Sequence, residues 1–239
     1  MALFRRIVFA AALAGLIAGG MLAVVHILAI VPLIEKAEVY EQAAEQKKVQ
    51  AAGQVQQPAA HAHTSNHDHA WEPEGVQRTL FTGLFNVLAG IGFGLLLAAG
   101  SALRGEADAR RGLLWGIGGF AAFSLAPALG LPPELPGTES ADLMARQVWW
   151  LSTVALTGVG LSMAAFTSHW LLRLAGLALI ALPHVVGAPH PAEAVAVAPA
   201  ELQRQFAIAS LAANAVFWVV LGVVTGYFFQ RFGPSNSDS

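Results

Sequence analysis

Six segments of the chain contain no Asp, Glu, Lys or Arg over about the length that a helix needs to cross the hydrocarbon of a bilayer, roughly 20 residues. The charged fraction of the whole chain is 12%, about half of the roughly 25% that a water-facing domain carries. The sequence therefore predicts an all-α fold, a polytopic transmembrane helical bundle that forms a single integral membrane domain over residues 1–239. The predicted spans cover residues 7–34, 79–103, 112–131, 147–168, 174–188 and 205–230.

The fifth segment makes the number of spans the least constrained part of this prediction. It is the shortest of the six and contains Pro183 and His184, so it fits a tilted or re-entrant helix as well as a full span. Six spans are predicted, and five remain the alternative. The first segment is too long for the apolar part of a signal peptide, so it is interpreted as a retained span.

Basic residues predict the orientation, since short loops that stay in the cytoplasm are richer in Lys and Arg. Under six spans, the side assigned to the cytoplasm also carries both termini, and residues 35–78 form a long loop on the outer side. The basic residues of the cytoplasmic side are Arg5, Arg6, Arg104, Arg110, Arg111, Arg173 and Arg231.

Pairs of glycines four residues apart occur in several of the predicted spans. Such small-residue pairs allow the backbones of two membrane helices to approach closely. We expect tight packing of a small bundle at these positions, with a moving, gating interface as the alternative. The pairs are Gly15 and Gly19, Gly90 and Gly94, Gly112 and Gly116, and Gly222 and Gly226.

The outer side collects nearly all of the side chains that can bind a metal ion. Within the 35–78 loop, residues 35–50 are expected to continue the first span as a polar helix. Residues 61–74, here called the capture segment, follow with four imidazoles and three carboxylates, which can supply several ligands to one borderline divalent cation. A polar loop with incidental histidines is the alternative. The candidate ligands of the capture segment are His61, His63, His67, Asp68, His69, Glu72 and Glu74.

Further candidates lie in two proline-rich stretches and inside the spans. Glu134 lies in the outer loop 130–137, and His184 and His190 flank the end of the fifth segment, where Pro183 is expected to break the helix and free carbonyl groups toward a cavity. A plain helix end is the alternative there.

Three polar residues lie within the spans and are candidate pore residues: His26, Asn86 and Asn214. Polar side chains inside a membrane are often functional. Hydrogen bonding to a neighbouring helix is the alternative for each of them.

Several function classes are excluded by what the sequence lacks. It contains no phosphate-binding Gly-rich loop, no His-Glu-x-x-His motif and no Gly-x-Ser-x-Gly motif, so neither ATP hydrolysis nor catalysis is expected. The net charge of −2 gives no basic field for nucleic acid. We expect no prosthetic group, only a transported divalent cation. The ligands do not discriminate among Co²⁺, Ni²⁺ and Zn²⁺.

Four blocks together resemble the predicted cobalt transporter subunits of the CbtA type: HDHAWEPEG (67–75), GLPPELPG (130–137), RQVWW (146–150) and LPHVVGAPHP (182–191). The resemblance covers nearly the whole chain. It implies cobalt import across the bacterial inner membrane, five spans as the family is usually described, and a small single-span partner subunit with a His-rich segment. A homo-oligomer is left open. By motif position, the resemblance implicates His67, Asp68, His69, Glu72, Glu134, His184 and His190.

Two other functions stay open at this point. The chain could be an accessory membrane subunit whose capture segment hands metal to another pore. It could also be a scaffold membrane protein in which the histidines have no metal role.

Replacing His61, His63, His67 and His69 by Ala is expected to reduce cobalt accumulation, most strongly at low external metal, because a capture site matters least when metal is abundant. The measurement is radioactive Co²⁺ uptake by cells across a range of concentrations. Uptake that is unchanged at every concentration would remove the capture segment from the mechanism.

Overall fold

The computed structural model describes residues 1–53, 75–105, 108–191 and 196–233. These residues form helices, connecting loops and one isolated β-bridge, between Thr138 and Ala196, so the predicted all-α class is confirmed for the described part of the chain. The helices are α1 (Ala2–Val25), a π-helical turn π1 (His26–Ile30), α2 (Val31–Gly53), α3 (Val76–Arg104), α4 (Ala109–Phe120), a second π-helical turn π2 (Ala121–Leu125), α5 (Ala126–Ala128), α6 (Leu143–Phe166), α7 (Trp170–Val186) and α8 (Ala200–Arg231).

Several of these elements join end to end. Together α1, π1 and α2 make one continuous helix, and α4, π2 and α5 make another. The first continues through residues 35–50, which confirms the polar extension predicted for the first span. The described chain thus contains six helical segments.

Proline explains both π-helical turns. Pro32 and Pro127 each lie two residues after the last residue of a π-helical turn. A proline ring clashes with the carbonyl group four residues earlier in an α-helix, and a wider turn relieves that clash. The backbone N–H of Val31 accordingly donates to the carbonyl of His26, and that of Ala126 to the carbonyl of Ala121.

Helices α1, α3, α4 and α8, here called the core, pack through glycine. A Cβ atom added at Gly90 of α3 would lie 2.8 Å from the carbonyl oxygen of Gly15 of α1, and one added at Gly222 of α8 would lie 2.8 Å from the Cα of Gly116 of α4. Backbones this close leave no room for a side chain. The close packing predicted at the glycine pairs is therefore confirmed.

Helices α6 and α7 form a separate antiparallel pair, here called the hairpin. Their backbones meet at Gly160 and Gly176, where a Cβ added at Gly176 would lie 2.6 Å from the carbonyl oxygen of Gly160. The sequence reasoning did not single out these two glycines. The hairpin contacts the rest of the protein mainly through π2 and α5, which continue α4 of the core. The boundary between the hairpin and the core is here called the seam.

One end of the bundle, here called the arginine end, holds Arg6, Arg104 and Arg111. The Arg6 guanidinium lies 3.8 Å from the ring centroid of Phe229 near the end of α8. The Arg104 guanidinium lies 4.0 Å from the ring centroid of Phe166 at the end of α6. The start of α1 and the end of α8 are therefore at the same end.

The opposite end, here called the proline end, is built by loop 129–142 and the parts of α2, α3 and α8 near it. The backbone N–H of Leu135 donates to Oε1 of Gln203 at 3.1 Å. Arg78 at the start of α3 pairs with Glu38 of α2 at 3.1 Å. The first contact fixes the loop on α8, and the second joins α2 to α3.

Within the described residues, four helices are long and apolar enough to cross a membrane: Ala2–Lys47, Gly75–Arg104, Leu143–Phe166 and Ala200–Arg231. Their most apolar windows are only 17–28% buried in the protein, so a large apolar surface faces outward, as expected next to lipid. The helices at the predicted third and fifth spans do not meet this criterion of length and apolar composition. Helix α7 has 17 residues, about 25 Å at 1.5 Å per residue, and the helix over residues 109–128 begins with two arginines.

Gly90→Ala is expected to lower the thermal stability of the purified protein by several degrees, because overpacking costs about 1–3 kcal/mol. Gly92→Ala is the matched control, since an added Cβ there meets no atom within 4 Å. Thermal unfolding in detergent, followed by tryptophan fluorescence, checks the difference. Equal melting temperatures for the two variants would contradict the close packing of α1 and α3.

Candidate functional site

A cavity of about 990 Å³ lies at the proline end of the seam. Its walls come from π2 and α5, loop 129–142, α6 and α8, so both the hairpin and the core contribute. We call it the proline-end cavity. Its polar lining residues are Ser124, Glu134, Ser140, Arg146, Gln147 and Asn214.

Glu134 supplies the carboxylate of this cavity. Its Oε2 accepts a hydrogen bond from the Ser140 hydroxyl at 2.6 Å and lies 3.5 Å from Nη2 of Arg146. Both contacts use one carboxylate oxygen. Pro132, Pro133 and Pro136 surround the residue and fix the backbone of the loop.

The ion pair of Glu134 is one that a dication could displace. The side chains of Glu134 and Arg146 are 29% and 33% exposed, and partly exposed pairs of this kind contribute only about 0–1 kcal/mol. A divalent cation carries twice the charge of Arg146 and can bind the carboxylate at shorter range. The position of Glu134 is therefore fixed by its loop, while its ion pair with Arg146 is weak enough to be exchanged.

The first turns of α6 bring further polar groups into the cavity. The carboxylate of Asp142 caps the helix by accepting from the backbone N–H of Ala145 at 2.9 Å. From this start, Leu143, Arg146, Gln147, Trp150 and Leu151 share one helix face at spacings of three and four residues, and all five line the cavity.

Asn214 and Ser124 lie further inside. Asn214 is 14 residues after Ala200, about 21 Å along α8 from the proline end. Its amide nitrogen donates to the carbonyl oxygen of Ser210 at 2.9 Å, so its amide oxygen is the atom left for a ligand. The Ser124 hydroxyl accepts from Nε1 of Trp218 at 3.2 Å.

His184 and His190 do not line this cavity. The His184 ring packs edge-on against Trp149, with 6.0 Å between ring centroids, and its Nε2 is buried without a partner among the described residues. His190 is exposed in the segment after α7. The break expected at Pro183 is wrong, because α7 continues through Pro183 to Val186, and the residue that caps it is Gly187, whose φ of +88° suits glycine.

His26 and Asn86 join two core helices. Nδ2 of Asn86 lies 3.1 Å from Nδ1 of His26, and since an amide nitrogen only donates, the imidazole nitrogen is the acceptor. The pair bridges π1 and α3 and does not line the proline-end cavity. The alternative given for both residues, a hydrogen bond between helices, describes this geometry.

The predicted ligands come together only in part. Glu134 and Asn214 line one cavity, while His61, His63, His67, Asp68, His69, Glu72 and Glu74 lie outside the described residues. Among the residues that the structure describes, no three His, Asp or Glu side chains are grouped to hold a metal ion. Sequence reasoning missed Ser124, Ser140, Arg146 and Gln147, although the apolar periodicity after Asp142 could have placed Arg146 and Gln147 beside the loop.

The family model described as "Probable cobalt transporter subunit (CbtA)" matches residues 4–230. The chain belongs to this family. The resemblance drawn from the four sequence blocks is therefore confirmed, together with a membrane transport role for a cobalt transporter subunit. No curated protein and no solved structure matches the chain.

The family description gives the proline-end cavity a candidate ligand. A divalent cation with six first-shell waters occupies about 180 Å³ at roughly 30 Å³ per water, so the cavity can admit it hydrated. Its carboxylate, amide and hydroxyl oxygens are weaker ligands for a borderline cation such as Co²⁺ than imidazole nitrogen is.

Glu134→Gln is expected to weaken Co²⁺ binding about tenfold or more, because it removes the carboxylate charge of the cavity. The measurement is calorimetric titration in a background in which the four histidines of the capture segment are Ala. Glu139→Gln is the control, since Glu139 is exposed on the same loop and does not line the cavity. Equal affinities for both variants would show that Glu134 is not a ligand.

Proposed function

We propose that the chain is the membrane-embedded subunit of a cobalt uptake transporter and admits Co²⁺ through the proline-end cavity. The observation that carries this proposal is the placement of the Glu134 carboxylate in a large cavity between hairpin and core, in a chain of the cobalt transporter subunit family. A transporter subunit also agrees with the expectation that the chain is not an enzyme.

The proposed topology has six spans in the bacterial inner membrane, with the proline end outside and both termini in the cytoplasm. Six helical segments and the contact between Arg6 and Phe229 support an even number of crossings. The concentration of arginines at the opposite end supports this orientation. Five spans, the alternative raised by the short fifth segment, would put the two termini on opposite sides.

The capture segment is proposed to collect metal for the cavity. It precedes Gly75, and α3 begins there beside Glu38 at the proline end. His61, His63, His67 and His69 would bind Co²⁺ in neutral form, whose reference pKa is about 6.5. Metal capture should accordingly fade as the histidines become protonated below about pH 6.

The membrane potential suffices as the driving force. A divalent cation gains about 4.6 kcal/mol on crossing 100 mV inward, from roughly 2.3 kcal/mol per charge. That corresponds to roughly a 2,000-fold accumulation at equilibrium. Direct ATP hydrolysis by this chain is not needed.

The family description as a subunit supports a partner within the bilayer. The proposed partner is the small single-span His-rich subunit that the resemblance implies. The family description as a subunit is also compatible with a second candidate function. In that function, this chain only binds metal and passes it to a pore in the partner. The scarcity of ligands within the described cavity agrees with a need for groups from elsewhere.

The purified chain in liposomes, without any partner, is expected to let Co²⁺ enter when a potassium diffusion potential makes the interior negative. Entry is measured with a trapped dye that Co²⁺ quenches. Glu134→Gln should reduce the initial rate at least fivefold, and Glu139→Gln should not. External Ni²⁺ and Zn²⁺, added separately, measure selectivity.

Flux that appears only after a single-span partner is added would favour the accessory function. Binding without flux under either condition would contradict the permease proposal.

A further inference from the structure

A second cavity, of about 670 Å³, lies at the arginine end of the same seam. Its walls come from α3, α4 and α6, and it includes Arg104, Arg111 and Phe166. We call it the arginine-end cavity. Like the proline-end cavity, it lies between the core and the hairpin and is partly open to the outside.

Among the residues that the structure describes, Phe123 alone lines both cavities. It lies in the middle of π2, the turn that Pro127 widens. Since Phe123 is the one described residue that both cavities share, its ring lies where the two cavities approach each other along the seam.

Aromatic residues of the core and of the hairpin surround the Phe123 ring. The Phe123 ring stacks on Trp218 of α8 with 5.5 Å between centroids and an interplanar angle of 23°. It meets Phe93 of α3 edge-on at 5.0 Å and Trp150 of α6 at 6.3 Å. The rings close the seam with apolar surface, and an apolar constriction blocks ions because it excludes water.

We propose that the two cavities are the outer and inner halves of one cation path, and that Phe123 is the gate between them. This inference rests on the proposed transport function and adds to it the route and the closing residue. Movement of the ring into either cavity would join the two halves without disturbing the glycine contacts of the core.

The surroundings of Phe123 suit a moving part. The ring is half-buried, with empty volume at both ends of the seam, so a change of side-chain rotamer has space to occur. π-helical turns inside α-helices occur frequently at functional sites. Arg104 and Arg111 disfavour residence of a dication in the inner half, which promotes release.

Single cysteines can test the gate directly, since the natural chain contains no Cys. Leu211→Cys reports on the proline-end cavity and Ser162→Cys on the arginine-end cavity. The probe is a positively charged, membrane-impermeant methanethiosulfonate, applied to one side of sealed vesicles. The side from which Leu211→Cys reacts defines the side that the proline end faces.

With Phe123 present, Ser162→Cys is expected to react at least tenfold more slowly from the proline-end side than from the opposite side. Adding Phe123→Ala should raise its rate from the proline-end side at least tenfold. Phe123→Leu, which keeps apolar volume and is less disruptive to folding, should raise it severalfold. Phe85→Ala is the control, since Phe85 is 68% exposed on the outer face of α3.

A Ser162→Cys rate from the proline-end side that changes less than twofold in a folded Phe123→Leu protein would overturn the gate. So would equal reactivity from both sides with Phe123 intact. The assay uses no metal, so absence of Co²⁺ flux in liposomes would contradict the proposed function while leaving the gate measurable.

Discussion

Close backbone contact is the constraint on which the architecture depends, because helices in lipid gain little from burying apolar side chains against each other. Gly15 with Gly90 and Gly116 with Gly222 hold the core together, and Gly160 with Gly176 holds the hairpin. Among the described residues, no glycine contact of this kind joins a hairpin helix to a core helix. The seam therefore stays open at both ends, and the cavities lie there.

Proline residues are the second determinant of the architecture. Loop 129–142 derives its fixed shape from three prolines, which hold Glu134 in the wall of the proline-end cavity. Pro127 widens the preceding turn and so sets the position of Phe123 and Ser124. Glu134, Ser124 and Phe123 are thus positioned by a rigid local backbone, while the glycine contacts keep the surrounding helices in place.

Much of the fold could be predicted from the sequence, because uncharged segments predict membrane helices and glycine spacing predicts close helix contacts. The residues of the candidate site were harder to predict. Glu134 was found since a carboxylate in a proline-rich loop stands out, but Arg146 and Phe123 depend on contacts between segments far apart in the chain. The expectation at Pro183 was wrong, because α7 continues past Pro183 to Val186 although proline has no N–H to donate to the carbonyl four residues earlier. The histidines at 61–69 lie outside the described residues and stay predictions.

The most direct test is whether Co²⁺ occupies the proline-end cavity. The measurement is the rate at which Leu211→Cys, which lines that cavity, is modified by the impermeant thiol reagent as Co²⁺ is increased. The account predicts saturable protection that Glu134→Gln abolishes and Glu139→Gln preserves. Modification at a constant rate up to millimolar Co²⁺, or protection that survives Glu134→Gln unchanged, would contradict it.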